Sequence, residues 1–344
     1  MPDRLVVAGA RGGTAIGASL VDAAAALGVP VEFADTNDAF RAPRAVRMAA
    51  WHLFGKRPPR LGQFGDGAVA TCERARPRWL VSTGIAPLDA AALRDIGGLG
   101  VQRVNFLTDD PWNPAHRAAW FLRALPHYDV VYTPRRANID DLGRAGCRNV
   151  RYLPFAYDPA IFSRPTAHEL AGSGFAPADV VFAGGADDDR VAYMQALADA
   201  GFSLALYGGY WERFAQLRAC YRGVAEPATL RLALASAKVG LCLVRRANRD
   251  GNAMRTFEVP AAGTCMLAED TPEHREILGP EGERVLYFGS IGEMVDQCRR
   301  LCADDALRER LAHAGHEAMR TGGHTWQDRL ATMLADAEWD GGRG

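Results

Sequence analysis

The sequence predicts an α/β protein built as two Rossmann-like domains facing a central cleft. Three observations lead there. Short apolar runs alternate with amphipathic stretches along most of the chain, the pattern of strand–helix–strand units in a largely parallel sheet. The alternation stops over residues 153–178, where Pro154, Pro159, Pro165, Gly172, Gly174 and Pro177 fall with little periodicity, and it restarts at Val180. The length, 344 residues, suits two domains at roughly 100–200 residues each. No internal sequence repeat relates the halves.

In order, the first half reads as a strand at 4–9, a helix at 14–27, a strand at 31–34 and helices at 39–54 and 67–76. Then come a strand at 79–82, a helix at 88–96, a strand at 103–107 and a helix at 114–125, where Asn113-Pro114 looks like a cap and a first-turn proline. A strand at 130–132, a helix at 135–145 and a strand at 150–152 complete it. The second half gives strands at 180–182, 204–207, 239–244, 265–268 and 285–288. Helices fall at 190–200, 227–235, 256–262, 292–303, 306–319 and 326–337. The expected divisions are 1–155, an N-terminal acceptor domain; 156–178, a linker; 179–322, a C-terminal donor domain; and 323–344, a C-terminal helix.

Composition narrows the function classes. Hydrophobic residues make up 48% and charged residues 24%, ordinary for a globular chain. Lys+Arg number 40 and Asp+Glu 41, a formal net charge of -1. That argues against nucleic acid, or a membrane surface, bound through bulk charge, while a local basic cleft stays compatible. Only Lys56 and Lys238 are lysines, a skew that reads as high-GC bacterial codon bias. No apolar run approaches the ~20 residues of a membrane helix, and the first residues lack a signal-peptide pattern. The seven cysteines are scattered, odd in number and without C-x-x-C, which points to free thiols and a cytoplasmic location. His313 and His316 are helically spaced but lack further ligands, so no metal is expected.

Two glycine-rich turns invite an anion. Gly9, Gly12, Gly13 and Gly17 follow the first strand, and Asp35 ends the second, roughly where a dinucleotide fold holds ribose. Gly9 and Gly12 are three apart where the dinucleotide fingerprint needs two, so the turn reads as structural or acceptor-side, with Gly12 and Gly13 as the candidates. The second turn, with Gly184, Gly185 and then Arg190, opens a helix, where backbone N–H groups favour negative charge and an arginine clamps diphosphate. A third polar segment runs from Arg245 through Asn248, Asp250, Asn252, Arg255, Thr256 and Glu258 at a strand end. Loop N–H groups and Arg255 suit phosphates there, and Glu258 suits vicinal ribose hydroxyls. In the first half, Asp109 and Asp110 follow a strand and precede Pro111-Trp112, a place for acceptor binding or a general base; Trp112 and His116 are weaker candidates.

Several segments together resemble CgeB-type (spore-maturation-protein-like) glycosyltransferases of the family-4-like GT-B superfamily. They are Y-G-G-Y-W at 207–211, A-K-V-G-L-C-L at 237–243 and R-T-F-E-V-P-A-A-G-T-C-M-L-A-E-D at 255–270. E-R-V-L-Y-F at 283–288, L-R-E-R-L-A-H-A-G at 307–315 and H-T-W-Q-D-R-L at 324–330 continue it. Upstream, T-D-D-P-W at 108–112, Y-D-V-V-Y-T-P at 128–134 and N-V-R-Y-L-P-F-A-Y-D-P-A-I-F at 149–162 also look like that family, about two-thirds of the chain in all.

The resemblance implies sugar transfer from a nucleotide-diphosphate donor, with UDP-sugar the first guess and GDP- or TDP-sugar as alternatives. It implies no metal or other cofactor and a retaining outcome, and it leaves a glycan, protein or small-molecule acceptor open. Glu258 would match the ribose-binding second glutamate of E-x7-E, and Asp250 the first acid, although it is Asp. Gly184, Gly185 and Arg190 would match the phosphate loop, and Asn252, Arg255 and Thr256 would belong to the donor segment. Gly223 and Val224 would match the base-reading loop, and Tyr207 the pocket lining. Final helices of this fold often cross back onto the first domain. The rival readings are a non-catalytic nucleotide-sugar or glycan-binding protein of the same fold and an NAD-dependent dehydrogenase using the first turn.

Overall fold

The structure is a computed structural model and describes residues 3–12 and 15–340. Two compact units divide it. The first gathers the chain through Pro154, the loop Arg246–Asp250 and the C-terminal segment from Trp326. The second comprises Phe155–Arg245 and Gly251–Thr325.

The first unit holds six parallel strands: β1 Leu5–Gly9, β2 Val31–Asp35, β3 Trp79–Thr83, β4 Gln102–Phe106, β5 Val130–Thr133 and β6 Val150–Tyr152. Their spatial order is β2-β1-β3-β4-β5-β6. Every residue of β1 is buried, as expected of a strand covered on both faces. Register is fixed by pairs such as Leu5 with Val31 and with Trp79. The core is filled by Val6, Leu80, Leu93, Ile96, Phe121, Val131 and their neighbours. The helix Trp326–Asp340 lies in this unit, with Trp326 edge-on to Phe106 at 5.6 Å and Asp336 accepting from the Tyr132 hydroxyl at 2.7 Å.

The second unit holds five parallel strands: β7 Ala178–Ala183, β8 Leu204–Tyr207, β9 Ala237–Cys242, β10 Cys265–Glu269 and β11 Leu286–Phe288. They are ordered β11-β10-β9-β7-β8. The chain goes from β7 out to β8, then returns to the other side of β7 as β9. That reversal makes the carboxyl ends of β7 and β9 a topological switch point, where open α/β sheets bind ligands. In the first unit β1 and β3 flank the corresponding reversal.

Several sequence expectations need correction. The helix expected at 39–54 is broken: a 3-10 helix Thr36–Phe40, capped by Asp35, ends before Pro43, and an α-helix Arg44–Leu53 follows it. Proline and the restriction it places on the residue before it account for the break. The helix expected from 67 begins at Leu61; Gly62 and Gly65 hid its start. Gly65 is small for a reason, since a Cβ there would stand 3.0 Å from Ala92 on the packed helix Ala90–Gly98.

The helix expected at 114–125 is reduced to Ala119–Ala124, because Asp110 and Asn113 each accept a backbone N–H two residues on, from Trp112 at 3.0 Å and Ala115 at 2.9 Å. Such local bonds compete with a helix. Residues 153–178 contain a helix, Ala167–Gly172, with a full Thr166/Glu169 capping box. The helix Pro272–Leu278, capped by Thr271, was also not anticipated. All seven cysteines are free. Among the described residues no helix is long and apolar enough to cross a membrane.

Candidate functional site

In the second unit, three loops meet at the carboxyl ends of β7 and β8. The Gly184 N–H donates to the Tyr207 carbonyl at 2.8 Å, and Ala186 N–H to the Gly209 carbonyl at 2.9 Å. The Trp211 indole donates to the Gly184 carbonyl at 2.8 Å. Gly208 has φ +130°, and a Cβ there would run into the Gly184 carbonyl, so both the conformation and the close approach demand glycine. Its N–H donates to the Gly223 carbonyl at 3.0 Å, which brings in the loop that carries Val224. Val224 is 73% exposed and Tyr210 54%. Tyr207, by contrast, is buried, its ring edge-on to Phe175 at 6.5 Å, and Trp211 is fully buried. The exposed aromatic of this stretch is therefore Tyr210.

Basic groups converge on the same loop. The helix Asp188–Asp199 starts after Asp187, whose carboxylate accepts Arg190 N–H at 3.0 Å. Buried Arg190 donates to the Gly185 carbonyl at 3.1 Å and lies over the Phe182 ring, 5.6 Å from its centroid. Asp187 thus faces its own helix start, and its charge does not stand alone in front of the loop. Arg245 follows β9 and approaches Asp187 at 3.8 Å; a Cβ on Gly185 would stand 3.5 Å from its guanidinium. Arg245 joins the loop although it was not among the candidate phosphate ligands. Its signal was its place just beyond β9.

The helix Arg255–Ala261 presents the partly buried Arg255 and the buried Glu258, which form an ion pair. Arg255 also donates to the Ala183 carbonyl at 3.1 Å, tying this helix to the end of β7. Burial pulls the Arg255 guanidinium down to about 10. Thr256 is fully buried: it accepts Ala253 N–H at 3.0 Å and lies 2.9 Å from His274 Nε2. The other ring nitrogen, Nδ1, is 2.7 Å from the Glu269 carbonyl. A carbonyl only accepts, so Nδ1 carries the proton and Thr256 donates to Nε2. Burial lowers the His274 pKa and keeps the ring neutral. Buried Asn252 accepts Phe155 N–H at 3.3 Å.

Asp250 lies elsewhere. It belongs to the first unit, where its carboxylate pairs with the fully buried Arg135. Arg135 also donates to the Leu107 and Thr108 carbonyls at 3.2 and 2.7 Å, which fixes the end of β4. The next residue pair, Asp109 and Asp110, divides its labour. Asp110 is buried and its oxygens take Trp112 N–H at 3.0 Å, the Asn138 amide at 3.1 Å and Arg249 at 2.6 Å. A carboxylate so occupied anchors the loop and has few free acceptor positions. Asp109 is the half-exposed acid, accepting from Thr108 at 3.2 Å with His116 at 3.9 Å.

Trp112 is half-buried against the first-unit core. Gly12 (φ +86°) is exposed, with open space where a Cβ would stand. Gly13 lies outside the described residues. A cavity in the first unit is lined by Phe33, Asp35, Asp38, Arg60, Gln63 and Phe64, which the sequence did not single out together. Among the described residues no group of three or more His, Cys, Asp or Glu is set to hold a metal ion.

Residues 190–335 match the family model described as glycosyl transferase-like. No curated protein matches the chain. Among solved structures it is similar to sucrose-phosphate synthase from Thermosynechococcus elongatus, with 14% identity, 99% of each chain covered and a TM-score of 0.66. It is similar to Anabaena HepE, solved with UDP-glucose, at 13% identity over 97% of this chain and 99% of that one, TM-score 0.64. It is also similar to a UDP-forming α,α-trehalose-phosphate synthase from Burkholderia xenovorans, at 16% identity over 98% and 99%, TM-score 0.63. With two parallel α/β sheets of this order and these structural likenesses the chain has the GT-B fold, and its residues 190–335 carry the glycosyl transferase-like pattern.

Proposed function

We propose that the protein is a CgeB-type glycosyltransferase that moves a hexosyl or related sugar from a nucleoside-diphosphate sugar to an acceptor hydroxyl. The observation that carries this reading is the convergence of Gly184–Gly185, Arg190, Arg245, Arg255 and Glu258 at the β7/β9 switch point. Backbone without Cβ atoms, a helix start and arginine side chains form an anion site. Glu258, held by Arg255 at the start of its helix, takes the ribose hydroxyls. Gly223, Val224 and exposed Tyr210 face the base. The arginines and helix-start N–H groups stabilise the charge that develops on the departing diphosphate.

Uracil is the expected base, in keeping with the UDP-glucose complex of HepE and with the UDP-forming trehalose-phosphate synthase. The acceptor is a glycan, a protein or a small molecule, and the first unit supplies its contacts. There Asp109, with His116 beside it, receives the acceptor hydroxyl. A retaining outcome and independence from metal rest on the family resemblance. The free thiols support a cytoplasmic location.

A thermal-shift panel of UDP, GDP, TDP, CMP and NAD tests the donor reading. Stabilisation by UDP above the others is expected; stabilisation by NAD alone would replace this reading with the dehydrogenase. Asp109→Asn should then bind UDP like the wild type but lose transfer and donor hydrolysis. If the wild-type protein binds UDP-sugars without any turnover, it is a binding protein of the same fold. Full activity in excess EDTA is expected.

A further inference from the structure

We propose that residues 40–57 of the first unit form a site that docks on an anionic lipid bilayer surface. Six of the nine large hydrophobic side chains exposed among the described residues lie within fifteen consecutive positions: Phe40, Val46, Met48, Trp51, Leu53 and Phe54. Leu53 and Phe54 are 76% and 68% exposed. The helix Arg44–Leu53 that carries most of them buries only Ala50. A ten-residue helix that contributes one small side chain to the core is not held there by the core.

The excursion is nevertheless fixed at its base. Arg60 N–H donates to the Ala39 carbonyl at 3.0 Å, and the Trp120 indole to the Lys56 carbonyl at 3.3 Å. The Lys56 ammonium donates to the Pro114 carbonyl and lies 5.8 Å from the Trp51 ring centroid.

Charge identifies the partner. Arg41, Arg44, Arg47, Lys56, Arg57 and Arg60 fall between positions 39 and 65, which contain no Asp or Glu, in a chain whose net charge is -1. Arg41 is met by Asp38 at 3.0 Å. Among the described residues Arg44, Arg47 and Arg57 have no carboxylate partner. Exposed Trp, Phe and Leu interleaved with unpaired arginines supply the two signals that hold an element in a lipid interface: apolar burial and attraction to anionic headgroups. Either one alone gives marginal binding. An acidic protein partner would use the arginines and leave Leu53 and Phe54 wet; a second copy would set like charges against each other.

Vesicle co-sedimentation of the full chain tests this, and it needs no sugar donor. The protein should pellet with vesicles of phosphatidylglycerol mixed with phosphatidylcholine, pellet little with phosphatidylcholine alone, and be released by high salt. Leu53→Ser/Phe54→Ser should lower partitioning about tenfold or more without changing the unfolding midpoint, because both side chains are exposed. Arg44→Glu/Arg47→Glu should do the same and remove most of the salt dependence. Failure of the wild type to pellet, or pelleting that survives both variants, overturns the proposal. So does a concentration-dependent dimer in light scattering that Leu53→Ser/Phe54→Ser abolishes.

Discussion

The turns after β1 and after β7 look alike in sequence and do different work. Both are glycine-rich, both lead from a strand into a helix, and both lie at the reversal of their sheet. After β1, Gly9 and Gly17 are spent on packing: a Cβ on Gly9 would stand 2.9 Å from Gly17 Cα, and one on Gly17 would stand 2.6 Å from the Ala10 carbonyl. The one arginine there, Arg11, lies over the Phe33 ring at 4.4 Å. After β7 the loop is braced by Trp211 and by the neighbouring glycine loop, and three arginines from separate segments reach it. A glycine turn therefore marks close approach in general. What distinguishes an anion site is the charge brought in from other strands.

The Arg255–Glu258 pair is where that distinction breaks most sharply. Arg255→Met leaves a buried carboxylate uncompensated, and Glu258→Met a partly buried guanidinium; each should destabilise by about 3–5 kcal/mol. The double variant should recover most of that loss, since a buried ion pair replaced by apolar side chains is often neutral. UDP affinity, read by calorimetry, should stay lost in the double variant while urea unfolding returns toward the wild type. A double variant that binds UDP normally would make the pair purely structural and reduce the β7 turn to the status of the β1 turn.

Local pattern decides how much of this was legible. The strands alternate with helices at regular spacing, so the class of fold follows from sequence. Boundaries slipped where short-range bonds compete with a helix, as at Asp110 and Asn113, or where glycines serve helix packing, as at Gly65. Glu258, Arg255 and Arg190 stand out in the sequence as candidates because each follows a loop at a strand end. The partner of Asp250 was not: Arg135 lies 115 positions away, and no spacing rule connects them. The same holds for Asp110 and Arg249, so the adjacent acids looked equivalent until tertiary contacts separated them.

A gentler test compares two glycines. A Cβ on Gly185 meets nothing closer than 3.5 Å, and no positive φ constrains the site. Gly185→Ala should leave stability unchanged yet crowd the diphosphate, lowering UDP affinity about tenfold, or roughly 1.4 kcal/mol. Gly12 has φ +86° with open space around it, so Gly12→Ala should cost about 1 kcal/mol of stability and leave UDP affinity alone. The opposite pattern would exchange the roles of the two turns.

An effect confined to acid pH concerns how each unit props its loops. In the first unit the loop after β3 rests on a buried network: Ser82 donates to Tyr128 Oη at 2.9 Å, and Asn105 to Ser82 at 2.8 Å and to the Gly84 carbonyl at 3.1 Å. Burial pushes Tyr128 up to about 12, so that network does not titrate near neutrality. In the second unit the corresponding prop is His274, whose pKa burial lowers from 6.5.

The unfolded chain, with a histidine pKa of about 6.5, binds this proton more readily than the folded one. Folding stability is therefore fully present above about 6.5 and falls as pH drops toward the folded value, where protonated Nε2 no longer accepts from Thr256. His127 in the first unit is also lowered, by burial and then by Arg94 and Arg103, so the wild-type slope mixes the two. His274→Gln should flatten the fall in unfolding free energy between pH 6.5 and 5 by up to one proton's worth, about 1.4 kcal/mol per pH unit. It should also blunt the acid loss of UDP affinity, which His127→Gln should leave unchanged. An unaltered pH profile of UDP binding in His274→Gln would detach this histidine from the Arg255–Glu258 helix it supports.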